Sequence, residues 1–408
     1  MRPVDHYQAF LLDLDGVLYR GDEVVAGAPD AVSALRRAGR RIVFLTNNSA
    51  RTPQQVAGKL RGLGIEASAE EVVTSAQATA TLLARSAEED GRAPSAFVIG
   101  EQGLREALEA AGIEVVDGKP EQAGFVVVGW DRSVDYGKLR TATVLVGRGA
   151  LLVASNADAS YPAPGGEQWP GAGALLAAVE TASGTRAAVV GKPHRPLFDL
   201  AVERAGTRRV LLVGDRIETD VAGALAAGLD AGLVLTGAAS AAELLDHDAL
   251  PTMVLGRLAG LLEDRPAPVV REAEPSDSAG VRALLEESGL STESSAVEEA
   301  VVAGDGEPLA TAAAAVQGDQ AYLHSVAVRR DTRAHYVGTL AVAAMVRRAV
   351  RNGARKFFLL TEEAEGFFRG LGFAPIGRDH LPAWVIDRST ACSASAVAMA
   401  REVASAAQ

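Results

Sequence analysis

Cysteine is almost absent from this chain of 408 residues, which carries only Cys392. A single cysteine excludes an internal disulfide and a metal site built from clustered cysteines. Long apolar runs are also missing, because none approaches the roughly 20 residues that cross a bilayer, and the first residues lack the apolar stretch of a signal peptide. From these features we expect a cytoplasmic protein without a membrane partner.

Positive charge is scarce as well, because 40 lysine and arginine residues stand against 52 aspartate and glutamate residues, a formal net charge of −12. Binding a polyanion requires a clustered cationic surface, so this balance argues against nucleic acid as a partner. A small phosphorylated compound remains compatible, since only its binding site must be positive. The length predicts two or three domains of about 100 to 200 residues each.

The apolar run at residues 10–12 leads into two carboxylates, Asp13 and Asp15, followed by Gly16. Residues two apart in a strand share one face, so both carboxylates can approach one substrate and one hard cation with oxygen ligands. The pattern predicts a phosphoryl-transfer site. An Asp-Gly turn without such a role is the alternative, because these turns commonly follow strands.

Three later apolar runs, each typical of a strand, also end in polar residues. The polar residues concerned are Thr46 and Asn47 after the first run, Lys192 after the second, and Asp215 with Asp220 after the third. Each has an ordinary explanation by itself, such as a polar strand end, a surface lysine or a helix cap. Their occurrence in this order, each after an apolar run, favours one shared site.

The order and wording of these motifs resemble the haloacid dehalogenase-like hydrolase superfamily. Its motifs are Asp-x-Asp-Gly, a threonine, a lysine and Gly-Asp-x-x-x-x-Asp, and all four are intact here. The finer wording resembles the p-nitrophenylphosphatase subgroup with the type IIA cap, which includes phosphoglycolate and glycerol-phosphate phosphatases. The resemblance covers residues 5–265 and implies an α/β fold, with a Rossmann-like parallel-sheet core and an inserted α/β cap.

The resemblance implies a role for each carboxylate. Asp13 would attack phosphorus and form an aspartyl-phosphate, a covalent intermediate, while Asp15 would protonate the leaving alkoxide and later accept a proton from water. Asp13, the backbone carbonyl of Asp15 and Asp215 would hold Mg²⁺, the expected cofactor. Dehalogenases lack the second aspartate of the first motif, and related transport ATPases carry lysine and threonine after the nucleophile. Asp15 therefore favours phosphomonoester hydrolysis.

The same resemblance assigns the residues that bind the phosphoryl group. Thr46, the Asn47 backbone and Lys192 would bind its oxygens, because an anionic phosphoryl group repels a carboxylate nucleophile unless cationic and N–H groups surround it. Asp220 would support the metal site or Lys192 rather than react. The expected substrate is a small phosphorylated metabolite of the glycerol 3-phosphate or 2-phosphoglycolate type.

The segment between the second and third motifs is far longer than a usual loop, and it alternates apolar strands with helical patterns. We expect an inserted cap over residues 78–187, which divides the hydrolase core into residues 1–77 and 188–263. Such a cap would exclude water and choose the leaving group. Trp130 is a candidate for contact with the organic part of the substrate, with packing as the alternative.

Residues 270–408 follow a proline-rich linker and resemble an N-acetyltransferase of the GNAT superfamily, an α+β fold. Tyr336 occupies the first glycine position of that family's pyrophosphate loop, where glycine lets backbone N–H groups approach the cofactor. Phe368 replaces a tyrosine that protonates the departing thiolate, and phenylalanine has no proton to give. We therefore expect a closed acetyl-coenzyme A site. His324, on the central strand, is either a base or a structural histidine.

The sequence favours a Mg²⁺-dependent phosphomonoesterase with an appended acetyltransferase-like domain. Two alternatives stay open. One is a bifunctional phosphatase and N-acetyltransferase, and the other is a phosphatase regulated by a non-catalytic domain that binds acyl-coenzyme A. The sequence also leaves open the exact substrate, the binding of acetyl-coenzyme A and the oligomeric state, a homo-oligomer included.

Overall fold

The computed structural model describes residues 2–162, 167–265, 269–292, 300–304, 306–389 and 393–403, so Cys392 lies outside the described residues. The chain divides into two compact units. The first comprises Tyr7–Asp215 with Ala222–Ala231, and the second comprises Met1–His6, Arg216–Val221 and Gly232–Gln408. Within the described ranges, no helix combines the length and the apolar character that spanning a bilayer requires.

Most of the β-strands are apolar and buried. In chain order they are β1 (Ala9–Asp13), β2 (Tyr19–Arg20), β3 (Glu23–Val24), β4 (Arg41–Thr46), β5 (Val72–Thr74), β6 (Ser95–Ile99), β7 (Glu114–Val116), β8 (Phe125–Val128), β9 (Leu151–Ala154), β10 (Ser160–Pro162), β11 (Gln168–Pro170), β12 (Ala188–Val189), β13 (Val210–Gly214), β14 (Asp230–Val234), β15 (Met253–Leu255), β16 (Val270–Glu272), β17 (Ala300–Ala303), β18 (Ala310–Gln317), β19 (Gln320–Val328), β20 (Lys356–Thr361), β21 (Ala374–Ile376) and β22 (Val397–Glu402).

The α-helices fall between these strands in the chain, except that α1 precedes β1. In chain order they are α1 (Pro3–His6), α2 (Ala28–Arg37), α3 (Pro53–Gly62), α4 (Ser75–Asp90), α5 (Gln102–Ala110), α6 (Tyr136–Gly147), α7 (Ala172–Ser183), α8 (Arg195–Ala205), α9 (Ala222–Ala226), α10 (Ser278–Glu287), α11 (Val337–Arg351), α12 (Glu365–Gly370) and α13 (Ala383–Arg388). Short 3₁₀ turns include Glu243–Leu245, Leu258–Leu262 and Arg330–His335, and Ile217–Val221 forms a π-turn.

In the first unit, the parallel strands of the hydrolase core run in the order β13, β1, β4, β5. Leu12 of β1 lies opposite Phe44 of β4, and both side chains are fully buried, as expected for a parallel sheet covered on both faces. The carboxyl ends of parallel strands meet at one edge of a sheet. The strands β1, β4 and β13 therefore bring Asp13, Thr46 and Asp215 to the same edge.

A second parallel sheet in the same unit runs in the order β12, β9, β8, β6, β7. Its hydrophobic core joins β6, β8 and β9 to the helices α6 and α7. A separate hairpin, β10 with β11, pairs Tyr161 with Trp169. This sheet is inserted between the second and third motifs, where the sequence predicts a cap.

The second unit contains a seven-stranded sheet in the order β16, β17, β18, β19, β20, β22, β21. Strands β19 and β20 run parallel, with residues 320–322 opposite residues 356–358, and the other neighbours pair antiparallel. Helix α11 packs against β17 and β18. The predicted fold class is confirmed: an α/β hydrolase core is joined to a separate, sheet-rich C-terminal domain.

Candidate active site

Asp13 and Lys192 form a buried ion pair at the carboxyl edge of the core sheet. The Lys192 Nζ atom donates to Asp13 Oδ1 at 2.6 Å, and the two residues are 8% and 5% exposed. A buried charge is costly unless an opposite charge compensates it. The pair therefore holds a carboxylate and an ammonium group together at the place where the motifs predict phosphoryl transfer.

Asp215 lies beside this pair, and its side chain leaves room only for a glycine at position 16 of the first motif. Asp13 and Asp215 are both buried, and each offers a carboxylate oxygen within 4.8 Å of the other. Gly16 has a φ of +76°, and a Cβ atom added to it would lie 2.1 Å from Asp215 Oδ2. Oxygen donors of this kind suit a hard divalent cation. The donor set therefore fits the predicted magnesium site.

Asp15 and Asp220 differ from each other in their exposure. Asp15 is exposed, and its Oδ1 atom accepts a long hydrogen bond of 3.4 Å from the Gly21 N–H. Asp220 is fully buried, and its Oδ2 atom accepts from the Arg216 N–H at 3.1 Å. Asp15 therefore remains accessible to a ligand, whereas Asp220 fixes the turn that follows Asp215.

The Asn47 side chain joins the second motif to the third. Its Oδ1 atom accepts from the Lys192 N–H at 2.7 Å, and its Nδ2 atom donates to the Lys192 carbonyl at 3.1 Å and to Asp158 Oδ2 at 3.2 Å. A Cβ atom on Gly191 would approach Asn47 Oδ1 to 2.6 Å. The sequence predicted a role only for the Asn47 backbone. The structure adds that its side chain positions Lys192.

Thr46 begins a tightly bonded loop. Its Oγ1 atom accepts from the Asn48 N–H at 3.1 Å, and Asn48 Oδ1 accepts from the Ala50 N–H at 2.9 Å. The Asn47 carbonyl accepts from Ser75 Oγ at 2.6 Å and from Asn156 Nδ2 at 2.8 Å. The backbone predicted to bind phosphoryl oxygens is therefore held in one conformation.

Tyr19 is a buried residue beside the two carboxylates of the first motif, and sequence reasoning missed it. Burial, followed by the charges of Asp15 and Asp13, raises the pKa of the Tyr19 phenol far above its ordinary value. Lys59 Nζ lies 3.9 Å from the centre of the Tyr19 ring, and burial lowers the pKa of Lys59. Tyr19 therefore stays neutral, and its carbonyl accepts from the Gly16 N–H of the first motif at 2.8 Å.

A cavity of about 240 Å³ opens next to this loop. Its lining combines core and cap residues, namely Asn48, Ala50, Arg51, Glu101, Trp130, Arg132, Tyr161 and Trp169. The rings of Trp130 and Tyr161 stack with their centroids 4.6 Å apart. Trp130, a candidate contact for the organic part of the substrate, thus lines a cavity and also packs against Tyr161.

Glu101 and Arg132 form a bidentate ion pair in the cavity wall. Arg132 Nε and Nη2 donate to the two Glu101 carboxylate oxygens at 2.7 and 2.8 Å, and these hydrogen bonds lower the pKa of Glu101. The Arg132 guanidinium also lies 5.1 Å from the centre of the Trp130 ring. A second cavity of about 360 Å³ shares Arg51, Glu101 and Arg132 with the first.

Asp131 anchors the cap loop between Trp130 and Arg132. It is 3% exposed, and its carboxylate accepts from the Ser133 N–H and hydroxyl at 2.8 and 2.7 Å and from Lys138 Nζ at 2.7 Å. Burial alone would raise the pKa of Asp131, but these hydrogen bonds outweigh it and keep the pKa below its ordinary value. The anchor fixes the two flanking residues that face the cavity.

In the C-terminal domain, Tyr336 precedes helix α11 in a left-handed conformation, with φ of +58°. A Cβ atom on Gly256 would lie 3.2 Å from the Tyr336 hydroxyl, so the side chain points towards that glycine. Arg265 Nη2 lies 3.4 Å from His335 Nδ1. The segment predicted as a pyrophosphate loop thus contacts residues 256 and 265. The closure of a cofactor site remains a prediction.

The two other residues singled out in this domain lie in packed surroundings. His324 stacks on Tyr322, and its Nδ1 atom lies 3.0 Å from Ser325 Oγ. Burial, and then the charge of Arg388, lowers the pKa of His324 to about 4, so its ring is neutral at pH 7. Phe368 is 5% exposed and packs edge-on against Phe373, with centroids 5.8 Å apart.

Models of three protein families match this chain. A haloacid dehalogenase-like hydrolase model matches residues 10–114, and an HAD-hydrolase-like model matches residues 189–261. The model of the acetyltransferase (GNAT) family matches residues 265–373. Both resemblances drawn from the sequence motifs are thereby confirmed.

Relatives extend these matches over most of the chain. The 5′-nucleotidase YutF of Bacillus subtilis is 36% identical over 254 residues, which are 62% of this chain and 96% of the relative. The structure of a 4-nitrophenylphosphatase from Thermotoga maritima matches 64% of this chain and 98% of its own, at 32% identity and a TM-score of 0.58. A glycerol phosphate phosphatase from Mycobacterium tuberculosis, solved in complex with magnesium, matches 90% of this chain and 98% of its own, at 28% identity and a TM-score of 0.71. The chain therefore belongs to the haloacid dehalogenase-like hydrolases, as a phosphatase that carries a GNAT acetyltransferase family domain.

Proposed function

We propose that this phosphatase hydrolyses a small phosphomonoester of the glycerol 3-phosphate or 2-phosphoglycolate type, with Mg²⁺ as its cofactor. The observation that carries the proposal is the buried pair of Asp13 and Lys192, with the Asp215 carboxylate beside it. The glycerol phosphate phosphatase from M. tuberculosis supports the substrate type, because it matches this chain across both the hydrolase and the C-terminal domain.

The buried carboxylates support a magnesium site. Asp13, the backbone carbonyl of Asp15 and Asp215 would hold the ion, and Asp220 would support the site by fixing the turn at Arg216. A bound Mg²⁺ supplies positive charge that offsets the repulsion between a carboxylate nucleophile and the phosphoryl oxygens. Thr46, the Asn47 N–H group and Lys192 would bind those oxygens and orient the phosphorus atom towards Asp13.

The chemistry proceeds in two steps. An Asp13 carboxylate oxygen forms a bond to phosphorus while the ester bond breaks, and the electron pair leaves with the alkoxide, which takes a proton from the Asp15 carboxyl group. Asp15, now ionised, takes a proton from a water molecule, which attacks phosphorus and releases the Asp13 carboxylate with inorganic phosphate. The exposed position of Asp15, against the buried position of Asp13, suits this division of roles.

We also propose that the C-terminal domain does not transfer acetyl groups. Phe368 stands at the position of the expected acid and packs against Phe367 and Phe373, so this side chain has no proton to donate. The domain boundaries, with the cap at 78–187 and this domain from 270, belong to the proposal. The proposed partners are small phosphorylated metabolites of the cytoplasm, with which a charge of −12 remains compatible, whereas it argues against nucleic acid.

The test is a panel of phosphorylated metabolites assayed for released phosphate, with and without Mg²⁺. We expect glycerol 3-phosphate or 2-phosphoglycolate to give the highest kcat/KM, and a chelator to abolish the activity until Mg²⁺ is restored. A preference for nucleotides or large sugar phosphates would contradict the proposed substrate type. Undiminished turnover in the presence of the chelator would contradict the proposed cofactor.

A further inference from the structure

We infer that Arg51 selects the substrate by hydrogen bonding to oxygen atoms of the leaving group. The ligands concerned are compact phosphomonoesters whose leaving group carries hydroxyl or carboxylate oxygens near the ester bond. The inference rests on the proposed function and names the residue that would give that function its specificity.

Arg51 belongs to the loop that the phosphoryl group would contact. It lines both cavities, and Asn48 lines the smaller one with it. The Asn48 N–H group bonds to Thr46 Oγ1, so the smaller cavity begins where the phosphate-binding loop ends. Arg51 lines this cavity three residues after Asn48, so a leaving group that extends from the Thr46 loop into the cavity would meet the Arg51 side chain.

Two arginines line the smaller cavity, Arg51 and Arg132. Of these, Arg51 is the one whose side chain is not already bound to a described residue of the protein. Both carboxylate oxygens of Glu101 already bind Arg132. Lys59 donates to the Gly21 carbonyl at 2.6 Å and lies 3.7 Å from Asp22. Within the described ranges, by contrast, the Arg51 side chain has no hydrogen bond or ion pair with the protein. A guanidinium group without a protein partner offers its N–H donors to a ligand.

The Arg51 backbone is held rigidly between two local structures. The Asn48 side chain closes a turn on the Ala50 N–H, and the capping box of Thr52 starts helix α3. From the cap, the Gly103 N–H donates to the Ala50 carbonyl at 2.9 Å, and a Cβ atom on Gly103 would lie 2.4 Å from the Arg51 carbonyl oxygen. The backbone contacts therefore fix the point at the cavity from which the Arg51 side chain extends.

The remaining wall of the smaller cavity is aromatic. Trp130 and Tyr161 form a stacked apolar surface that suits the carbon atoms of a short chain. The smaller cavity, of about 240 Å³, shares Arg51 with the neighbouring cavity of about 360 Å³. An organic leaving group can therefore pack its carbon atoms against the rings while its oxygens reach Arg51.

The experiment compares esters that differ only in these oxygens. Glycerol 3-phosphate is paired with n-propyl phosphate, and 2-phosphoglycolate is paired with ethyl phosphate. The kcat/KM values are measured for the wild type, Arg51→Met, Arg51→Lys and a matched control, Arg140→Met. Arg140 is an exposed arginine on the cap helix α6 that lines neither cavity.

We expect Arg51→Met to lower kcat/KM about 10- to 100-fold for at least one oxygen-bearing ester, the effect of losing a hydrogen bond to a charged group. The kcat/KM value for the matching alkyl ester should change less than about 3-fold. Arg51→Lys should restore part of the loss if the oxygen belongs to a carboxylate. Inhibition by inorganic phosphate should be unchanged, because the phosphoryl site is intact. Arg140→Met should match the wild type.

Equal losses on the oxygen-bearing and alkyl esters, or no loss on either, would overturn the inference while leaving the proposed function in place. Wild-type protein that turns over neither glycerol 3-phosphate nor 2-phosphoglycolate above the alkyl esters would overturn both. The pattern of losses also identifies the ligand, since a larger effect on 2-phosphoglycolate indicates a carboxylate and a larger effect on glycerol 3-phosphate indicates hydroxyl groups.

Discussion

Lys192 Nζ lies 2.6 Å from Asp13 Oδ1, although 179 positions separate the two residues in the sequence. Asp13 ends strand β1, and Lys192 lies in the turn after β12. The Asn47 side chain holds that turn through two hydrogen bonds to the Lys192 backbone. The proposed nucleophile and the proposed phosphate-binding cation thus form one buried ion pair.

Asp13→Asn is expected to abolish phosphate release, because the amide cannot attack phosphorus. The amide oxygen can still accept from Lys192, so the variant should fold. Released phosphate and thermal unfolding are measured together, with Asp199→Asn, an exposed aspartate on α8, as the control. Normal turnover by purified Asp13→Asn would rule out the covalent mechanism.

Asp15→Asn should lower the rate of hydrolysis to a different extent for substrates with different leaving groups. Without a proton donor, an alkoxide leaves poorly, so hydrolysis of glycerol 3-phosphate should fall about 10²- to 10⁴-fold. Release of p-nitrophenolate needs little protonation, and the loss on p-nitrophenyl phosphate should be smaller, limited by the second duty of Asp15 in activating water. The measurement is kcat on both esters, and equal losses would remove Asp15 from the role of acid.

Gly16→Ala should displace Asp215, because the added Cβ atom would lie 2.1 Å from Asp215 Oδ2. Gly21 offers a matched control, since it also has positive φ, of +57°, but an added Cβ atom would meet nothing within 4 Å. Both variants share backbone strain of about 1–2 kcal/mol. We expect only Gly16→Ala to require more Mg²⁺ and to lose about 100-fold in kcat/KM. A similar loss in both variants would show that backbone strain, rather than displacement of Asp215, causes the effect.

The C-terminal domain should show no saturable binding of acetyl-coenzyme A at micromolar concentrations. Tyr336 replaces a glycine at the start of α11, where backbone N–H groups would bind pyrophosphate. Calorimetric titration of the wild type, Tyr336→Gly and Tyr336→Phe tests this, and binding by Tyr336→Gly alone would identify the ring as the obstacle. Micromolar binding by the wild type would favour a bifunctional or acyl-coenzyme A-regulated enzyme.

Acid should destabilise the C-terminal domain through His324. The folded domain holds the pKa of His324 at about 4, below its ordinary value of 6.5, so the unfolded chain binds the proton first as the pH falls. The neutral His324 ring makes its full contribution to the free energy of unfolding above pH 6.5. This contribution decreases as the pH falls towards 4, by roughly 3 kcal/mol in all. Urea unfolding across this range should show a flatter profile for His324→Asn than for the wild type.

His380, an exposed histidine of the same domain, provides the control for this pH dependence. His380→Asn should reproduce the wild-type profile, because His380 lies on the surface, away from the packed surroundings of His324. If His324→Asn and the wild type lose stability in parallel, the acid sensitivity arises from other groups, and the buried histidine does not contribute it.

The groups proposed to react could be placed from the sequence, but the groups proposed to select the substrate could not. Asp13, Thr46 and Asp215 each follow an apolar strand, and parallel strands end at one edge of a sheet, so a local pattern sufficed. Arg51 and Arg132 lie in loops, and they meet only because the cap folds against the core. No periodicity or motif records that packing. Sequence reasoning likewise noted the Asn47 backbone and missed its side chain, whose partners lie 111 and 145 positions away.

The cap and the phosphate-binding loop share hydrogen bonds, because Ser155 Oγ bonds to Ser49 Oγ at 2.8 Å and Asn156 Nδ2 donates to the Asn47 carbonyl. A displacement of one of these segments would therefore disturb hydrogen bonds to the other. Thermodynamic reciprocity requires that inorganic phosphate and a ligand in the Arg51 cavity change each other's affinity by the same factor.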